Sequence, residues 1–179
     1  MKSATLSFLT LLALVPAAPL AAQTAAPTGV RGDLIAQLDE AATKLEQLGE
    51  AIPQDKYGWR PGTGVRSVGE VLMHVANGNY YLLGMAGISA PEGAMGSENA
   101  VTDRAQVVER MRTSFEHVRN AIRGMSDAEL DKPATMFGRQ TTNRNVLLTT
   151  VSHAHEHLGQ LIAYARTNGV TPPWSSGAQ

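Results

Sequence analysis

The stretch Thr142-Asn-Arg-Asn-Val-Leu147-Leu-Thr-Thr-Val151-Ser-His153-Ala154-His155-Glu156-His157-Leu158-Gly-Gln160-Leu161-Ile-Ala-Tyr164-Ala165-Arg-Thr-Asn-Gly169 decides the fold and holds the candidate chemistry. Leu147, Val151, Ala154, Leu158, Leu161 and Ala165 alternate by four and three, which draws one apolar stripe along a helix. Thr142 offers the cap at its start, and Gly169 followed by Pro172-Pro173 stops it. On this helix His153 and His157 stand four apart, so they share a face with Cβ atoms about 5–6 Å apart. Two imidazoles so placed can both reach one ion at roughly 2.0–2.1 Å. His155 falls on the other flank, and Glu156 points away from the pair. The pair is not a zincin motif, because Ala154 occupies the place where the catalytic glutamate would follow the first histidine.

The same period recurs towards the N-terminus. Leu34, Leu38, Ala41, Leu45, Leu48 and Ile52 form the stripe of a first helix that Pro53 ends. The segment from Gln54 to Gly64 is too rich in Gly and Pro for regular structure. Ser67-Val-Gly-Glu70 is a capping-box pattern that starts a second helix, with Val68, Val71, Leu72, Val75 and Leu82 behind it. A second loop covers Gly84 to Ala100. The third helix carries Val108, Met111, Phe115, Val118, Ile122 and Met125, and Ser126-Asp-Ala-Glu129 suits one short capped turn. Four amphipathic helices with no convincing period-two run predict an all-α, antiparallel-type four-helix bundle over residues 32–173.

Composition narrows the function. The chain has 179 residues, 43% of them hydrophobic, and a net charge of -1, enough for one real core. The near-neutral balance argues against a nucleic-acid partner, which calls for a basic patch. With no cysteine there is no disulfide framework, thiolate metal site or cysteine nucleophile. Met1-Lys2, the apolar run Leu6 to Val15 and the stretch Pro16 to Ala22 together read as a secretory signal over residues 1–22. Residues 23–31 follow as a flexible lead-in, and 174–179 form a C-terminal tail. The apolar run is too short to span a bilayer, so the expectation is an exported protein with no stable membrane anchor after cleavage. The alternative is an uncleaved N-terminal anchor.

A third ligand for the His153–His157 pair has to come from another helix. His74, flanked by Val71 and Val75 on or near the buried side of the second helix, is the candidate, and three imidazoles would leave coordination positions open for water or substrate. Spacing alone leaves two readings open: a metal site, or a surface His pair with an interior His74 that is merely satisfied. Asn77 and Tyr81 lie three and seven after His74, and Gln160 and Tyr164 three and seven after His157, which makes them candidates for a pocket. His117, beside Glu116, reads as solvated surface.

The chain resembles the DinB family of four-helix-bundle proteins. The matching stretches are Ile52-Pro-Gln-Asp-Lys-Tyr-Gly-Trp-Arg-Pro61, Val65-Arg-Ser-Val-Gly-Glu-Val-Leu-Met-His74-Val-Ala-Asn77, and Val151 to Arg166 with Gly169-Val-Thr-Pro-Pro173. The resemblance implies a metal triad at His74, His153 and His157, with nickel or zinc as the usual divalent ion. Trp59, Pro61 and Arg66 match the family's loop before the second helix. Trp59 reads as a hydrophobic plug, and Arg66 either reaches an anion near the metal or pairs at the surface. The resemblance implies a metal-dependent hydrolase or a thiol-dependent transferase, and export away from cytoplasmic thiols favours the first. The lack of a recognisable general base beside the triad gives the alternative, a non-catalytic metal- or small-ligand-binding bundle. It also implies a homodimer paired through helix faces. The substrate is a small molecule whose identity the residues do not name.

Overall fold

Each helix forms where its stripe and cap direct. In the computed structural model, which describes residues 27–175, α1 spans Gly29–Ala51, α2 Val68–Met85, α3 Arg104–Gly124, α4 Asp127–Leu130 and α5 Asn143–Thr167. Residues 1–26 and 176–179 lie outside the described residues, and with them the stretch read as a secretory signal and most of the tail. The lead-in ends earlier than the sequence suggests, because residues 29–31 already belong to α1. At the other end, Pro173–Ser175 close a short 3-10 turn, so the bundle's boundary at 173 falls inside a turn. Gln54–Lys56 likewise form a short 3-10 turn within the loop that Gly and Pro make otherwise irregular.

The caps are the expected ones. Ser67 accepts from the Glu70 backbone N–H while Glu70 accepts from the Ser67 backbone N–H, a complete capping box. Thr142 accepts from Asn145 at the head of α5, and Ser126 and Glu129 form a second box at α4. The stripes meet in one core, where Leu38, Leu45, Leu48, Leu72, Met111, Phe115, Ile122, Leu147 and Leu161 are shut off from solvent. Each such side chain contributes about 1.5–3 kcal/mol by leaving water.

The helix order is less obvious than the helices. α1 packs on α3 and α5, and α2 packs on the same two, so α1 and α2 sit diagonally across the bundle. Pairs of ions Asp39–Arg119 and Glu46–Arg112 run in opposite senses along α1 and α3, which are antiparallel. Arg66 with Tyr164 and His74 with His153 make α2 and α5 antiparallel too. Asn79 bonds Ser114 and Tyr80 packs on His117, while a Cβ placed on Gly49 would meet both Leu72 and Val108, so α2 and α3 are parallel. Gln37 against His155 and Lys44 over Trp174 make α1 and α5 parallel as well. The four-helix bundle therefore stands, but only two of its four neighbouring pairs are antiparallel.

Two parallel neighbours need a return path. α2 is 18 residues, about 27 Å long at 1.5 Å per residue, and α3 starts again from the end where α2 began. Residues 86–103, also 18 by count, can stretch to about 60 Å and make that journey along the outside. On the way Gly96 meets Asn77, Glu98 meets His74, and the Thr102 carbonyl accepts from Gln54. The α3–α5 connection instead stays at one end. It forms α4 and then an antiparallel hairpin, β1 Pro133–Met136 with β2 Arg139–Thr142, Pro133 facing Thr142 and Met136 facing Arg139. Phe137 and Gly138 turn the hairpin with positive φ of 51° and 77°, the signature of a type I′ turn. This hairpin corrects the expectation of helices alone. Of its eight strand residues only Ala134 is buried, so it has almost no alternating pattern to show.

Candidate metal centre

The site forms where α2 and α5 run antiparallel. His74 from α2 and His153 and His157 from α5 bring one ring nitrogen each to within 4.8 Å of one another. The Nε2 atom of His153 lies 3.1 Å from Nε2 of His74 and 3.1 Å from Nε2 of His157. That spacing suits donors about 2.0–2.1 Å from a shared ion. The rings meet edge to face or tilted, at 56–80° to one another, so their nitrogens rather than their faces converge.

The outer nitrogens settle which proton sits where. Nδ1 of His74 donates to Glu98 Oε1 at 2.7 Å, and Arg66 grips both oxygens of the same carboxylate at 2.6 and 3.2 Å. Nδ1 of His157 donates to Gln160 Oε1 at 2.8 Å. Gln160 Nε2 donates to the Tyr164 hydroxyl at 2.9 Å, which donates to the Arg66 carbonyl at 3.3 Å. Both chains thus end on Arg66, one at its side chain and one at its main chain. Nδ1 of His153 is buried and has no partner among the described residues.

This arrangement fits a cation. With their protons held outside by Glu98 and Gln160, His74 and His157 turn lone pairs inward. Three ring nitrogens then crowd one point, where a single N–H from His153 can satisfy only one neighbour. A positive ion satisfies all three. Electrostatics agree: burial first, and the neighbouring His157 and His74 after it, push His153 down to about 4. Burial also lowers His157, against the opposing bond to Gln160. Both rings are therefore neutral near pH 7, the form that ligates. Burial works against the Glu98 charge, yet hydrogen bonds from Arg66 and His74 outweigh it and hold the carboxyl below its usual range.

The residues singled out by spacing divide clearly. Gln160 and Tyr164 stand behind His157 as a hydrogen-bonded pair. Arg66 is exposed and pairs with Glu98, the carboxylate that backs His74, so it makes a surface ion pair with an anionic group beside the triad. Asn77 turns to the loop, where its side chain bonds both the carbonyl and the N–H of Gly96. Tyr81 is 55% exposed, two turns along α2, with its ring beside Phe137 at the hairpin tip rather than among the histidines. Trp59 lies edge-on to Tyr164 at 5.3 Å and packs against the core, as a plug does. His155 bonds the Gln37 carbonyl on α1, off the triad's face. His117 is half-buried rather than solvated: its ring packs on Tyr80, and its Nε2 is shut off from water with no hydrogen-bond partner among the described residues.

Two residues escaped the sequence reading. Glu98 sits in an aperiodic loop, where nothing in the spacing ties it to Arg66 or His74. Gly78 lies four after His74, where a Cβ would come within 2.5 Å of the His153 ring. The missing side chain is the room His153 occupies.

A family model described as DinB superfamily matches residues 37–161. Among solved structures, a DinB-like protein from Bacillus cereus is 18% identical with a TM-score of 0.68, covering 78% of this chain and 93% of its own. A DinB-like protein from Bacillus subtilis is 22% identical with a TM-score of 0.62, again over 78% and 93%. YfiT from Bacillus subtilis is 18% identical with a TM-score of 0.61, over 79% of this chain and 89% of its own. YfiT is described as a probable metal-dependent hydrolase with an unusual four-helix bundle topology. No curated protein matches the chain. At these identities the structures show a shared fold.

Proposed function

Because the chain belongs to the DinB superfamily, we propose that it holds a divalent metal at His74, His153 and His157 and hydrolyses a small molecule there. One observation carries this reading: three Nε2 atoms converge while the outer protons of two rings are held by Glu98 and Gln160. A divalent ion so bound supplies Lewis acidity toward water or a substrate oxygen. The protein's own part is to keep the proton of His74 on Nδ1, keep that of His157 on Nδ1, and leave His153 its place over Gly78. Nickel or zinc suits a set of three imidazoles. The description of YfiT as a probable metal-dependent hydrolase supports the choice of reaction.

A second reading, a bundle that binds metal or a small ligand without turnover, is favoured by one observation. Glu98 accepts from both Arg66 and His74, so the carboxylate nearest the triad is not free to act as a general base. A thiol-dependent transferase ranks below both, since the apolar run Leu6 to Val15 supports export, away from the low-molecular-weight thiols of the cytoplasm. Export also supports action in the periplasm or outside the cell, with no membrane anchor once the signal is removed. Nucleic acid is not a partner in this reading, given the net charge of -1, and the bundle pairs with a second copy through a helix face.

The test is metal content. Protein purified without chelator should carry about one equivalent of a divalent ion, and a variant with His74, His153 and His157 all changed to Ala should carry none. Turnover of model esters, phosphates and amides that stops with chelator establishes the hydrolase; binding without turnover across the panel establishes the second reading. If the unaltered protein takes up neither nickel nor zinc, the metal centre is refuted.

A further inference from the structure

The three candidate ligands are not backed alike. Behind His157 stands a neutral amide, and behind His153 no hydrogen-bond partner among the described residues. Behind His74 stands a carboxylate, and it comes from neither helix of the site but from the return segment 86–103. We propose that Glu98 is a positioning residue of the metal centre, fixing His74 in the form that ligates through Nε2. The proposal rests on the three-histidine metal reading and adds to it a residue that the triad's spacing does not reveal.

The geometry carries it in three steps. A neutral imidazole has one proton to place, and the partner of one nitrogen decides which nitrogen keeps a lone pair. His74 is a quarter exposed, so without Glu98 water can bond either nitrogen and the ring is free to take the wrong tautomer. A carboxylate oxygen 2.7 Å from Nδ1 accepts only, and so keeps the proton there and the lone pair on Nε2. A negatively charged acceptor also makes the ring a stronger donor to a cation than an amide does.

Glu98 is itself held in place. Arg66 binds both of its oxygens, Asn77 clasps Gly96 two residues earlier, and the Ser97 hydroxyl donates to Asn99 across it. Asn77 lies one turn after His74 on α2, so the clasp and the ligand share a face of the same helix. The loop is therefore registered against the ligand it orients. A strap that merely tied the segment down would need the Arg66–Glu98 pair and the Asn77 clasp, but not a carboxylate aimed at Nδ1.

Glu98→Leu tests this, because it keeps much of the bulk and removes the acceptor altogether, whereas an amide could still hold the ring as Gln160 holds His157. The dissociation constant for zinc and cobalt is measured by competition with a coloured chelator on the purified protein. The variant should bind about 10–100-fold more weakly, with the visible bands of its cobalt form shifted and the helical circular dichroism unchanged. Equal affinity and an unchanged cobalt spectrum overturn the role of Glu98, even if thermal stability falls, since that pattern belongs to a strap. Failure of the unaltered protein to bind either ion overturns the metal reading instead. Should the variant not fold, nitrogen-15 spectra of the zinc-loaded, unaltered protein decide. A His74 ring protonated at Nδ1 and ligated at Nε2 supports the role, and the reverse assignment overturns it.

Discussion

Two connections in this bundle have the same length and opposite construction. Residues 86–103 join α2 to α3, and residues 125–142 join α3 to α5, 18 residues by count in each case. The second closes its own hydrogen bonds through a capped turn and a hairpin, and it stays at one end. The first has no helix or strand. It travels the length of α2, held by side chains: Asn77 on Gly96, Arg66 and His74 on Glu98, Gln54 on Thr102. The difference follows from direction. α3 and α5 run oppositely, so their connection has residues to spare for local structure. α2 and α3 run the same way, so theirs spends its length on the return. A segment whose backbone is satisfied from within serves as a brace, whereas one satisfied by neighbouring side chains can bring a functional group to a distant place.

Mutations can break this contrast or sharpen it. The largest effect is expected from His157→Ala, which should leave less than a tenth of the metal while keeping the helical circular dichroism. Amide exchange should then rise around Gly96 to Asn99 and stay unchanged in the hairpin. His155→Ala, on the same helix but bonded to Gln37, should keep wild-type metal content. Metal loss there would mean the helix face is misassigned. Next comes Gly78→Ala, whose Cβ would sit 2.5 Å from the His153 ring. Metal affinity should fall about tenfold or more. The metal-free protein should hold or gain stability, since Ala favours a helix over Gly by about 1 kcal/mol. Calorimetric melting with and without zinc separates the two effects.

Smaller changes are expected in the brace. Phe137 holds a left-handed conformation that costs a bulky residue roughly 1–2 kcal/mol, while its exposed contact with Tyr81 returns about 0.5–1. Phe137→Asn creates the Asn-Gly pair that type I′ turns favour, so urea unfolding should show a gain of about 0.5 kcal/mol with unchanged metal affinity. A loss of metal would tie the hairpin to the site and end the contrast. The smallest effect concerns pH. The Ser126 backbone N–H, then its hydroxyl and Lys132, hold Glu129 down to about 2. The unfolded chain takes up that proton near the ordinary carboxylate value, so the capping box contributes fully above about 4.5 and its contribution is lost as pH falls towards 2. In melts between pH 5 and pH 2, Glu129→Gln should show a shallower decline than the unaltered protein.

What the sequence disclosed follows the same division. The stripes, the boxes at Ser67 and Ser126 and the cap at Thr142 are local, set by residues three or four apart, and all are present. The His153–His157 pair was legible because α5 fixes both on one face, and it was the resemblance to the DinB family that joined His74 to them as a triad. Glu98 was not legible, because it reaches His74 from 24 residues away through a loop with no period. Nor was the helix order, since a stripe marks which face is buried and not which neighbour covers it. The hairpin stayed hidden for a different reason. Its turn carries Phe where Asn or Gly is usual, and its strands bury a single side chain.

The separation of the ligands along the chain also sets a clock. His74 and His153 are 79 residues apart. At the usual pace of synthesis, about 5–20 residues per second, roughly 4–16 seconds pass between their appearances. During that interval the growing chain holds only one of the three converging imidazoles, His74, and, from Glu98 onward, its carboxylate partner. The metal can be gripped by three nitrogens only after the last long helix has been made and has docked. If the metal is held as proposed, loading marks a finished bundle, and a chain broken off before His153 lacks two of the three nitrogens.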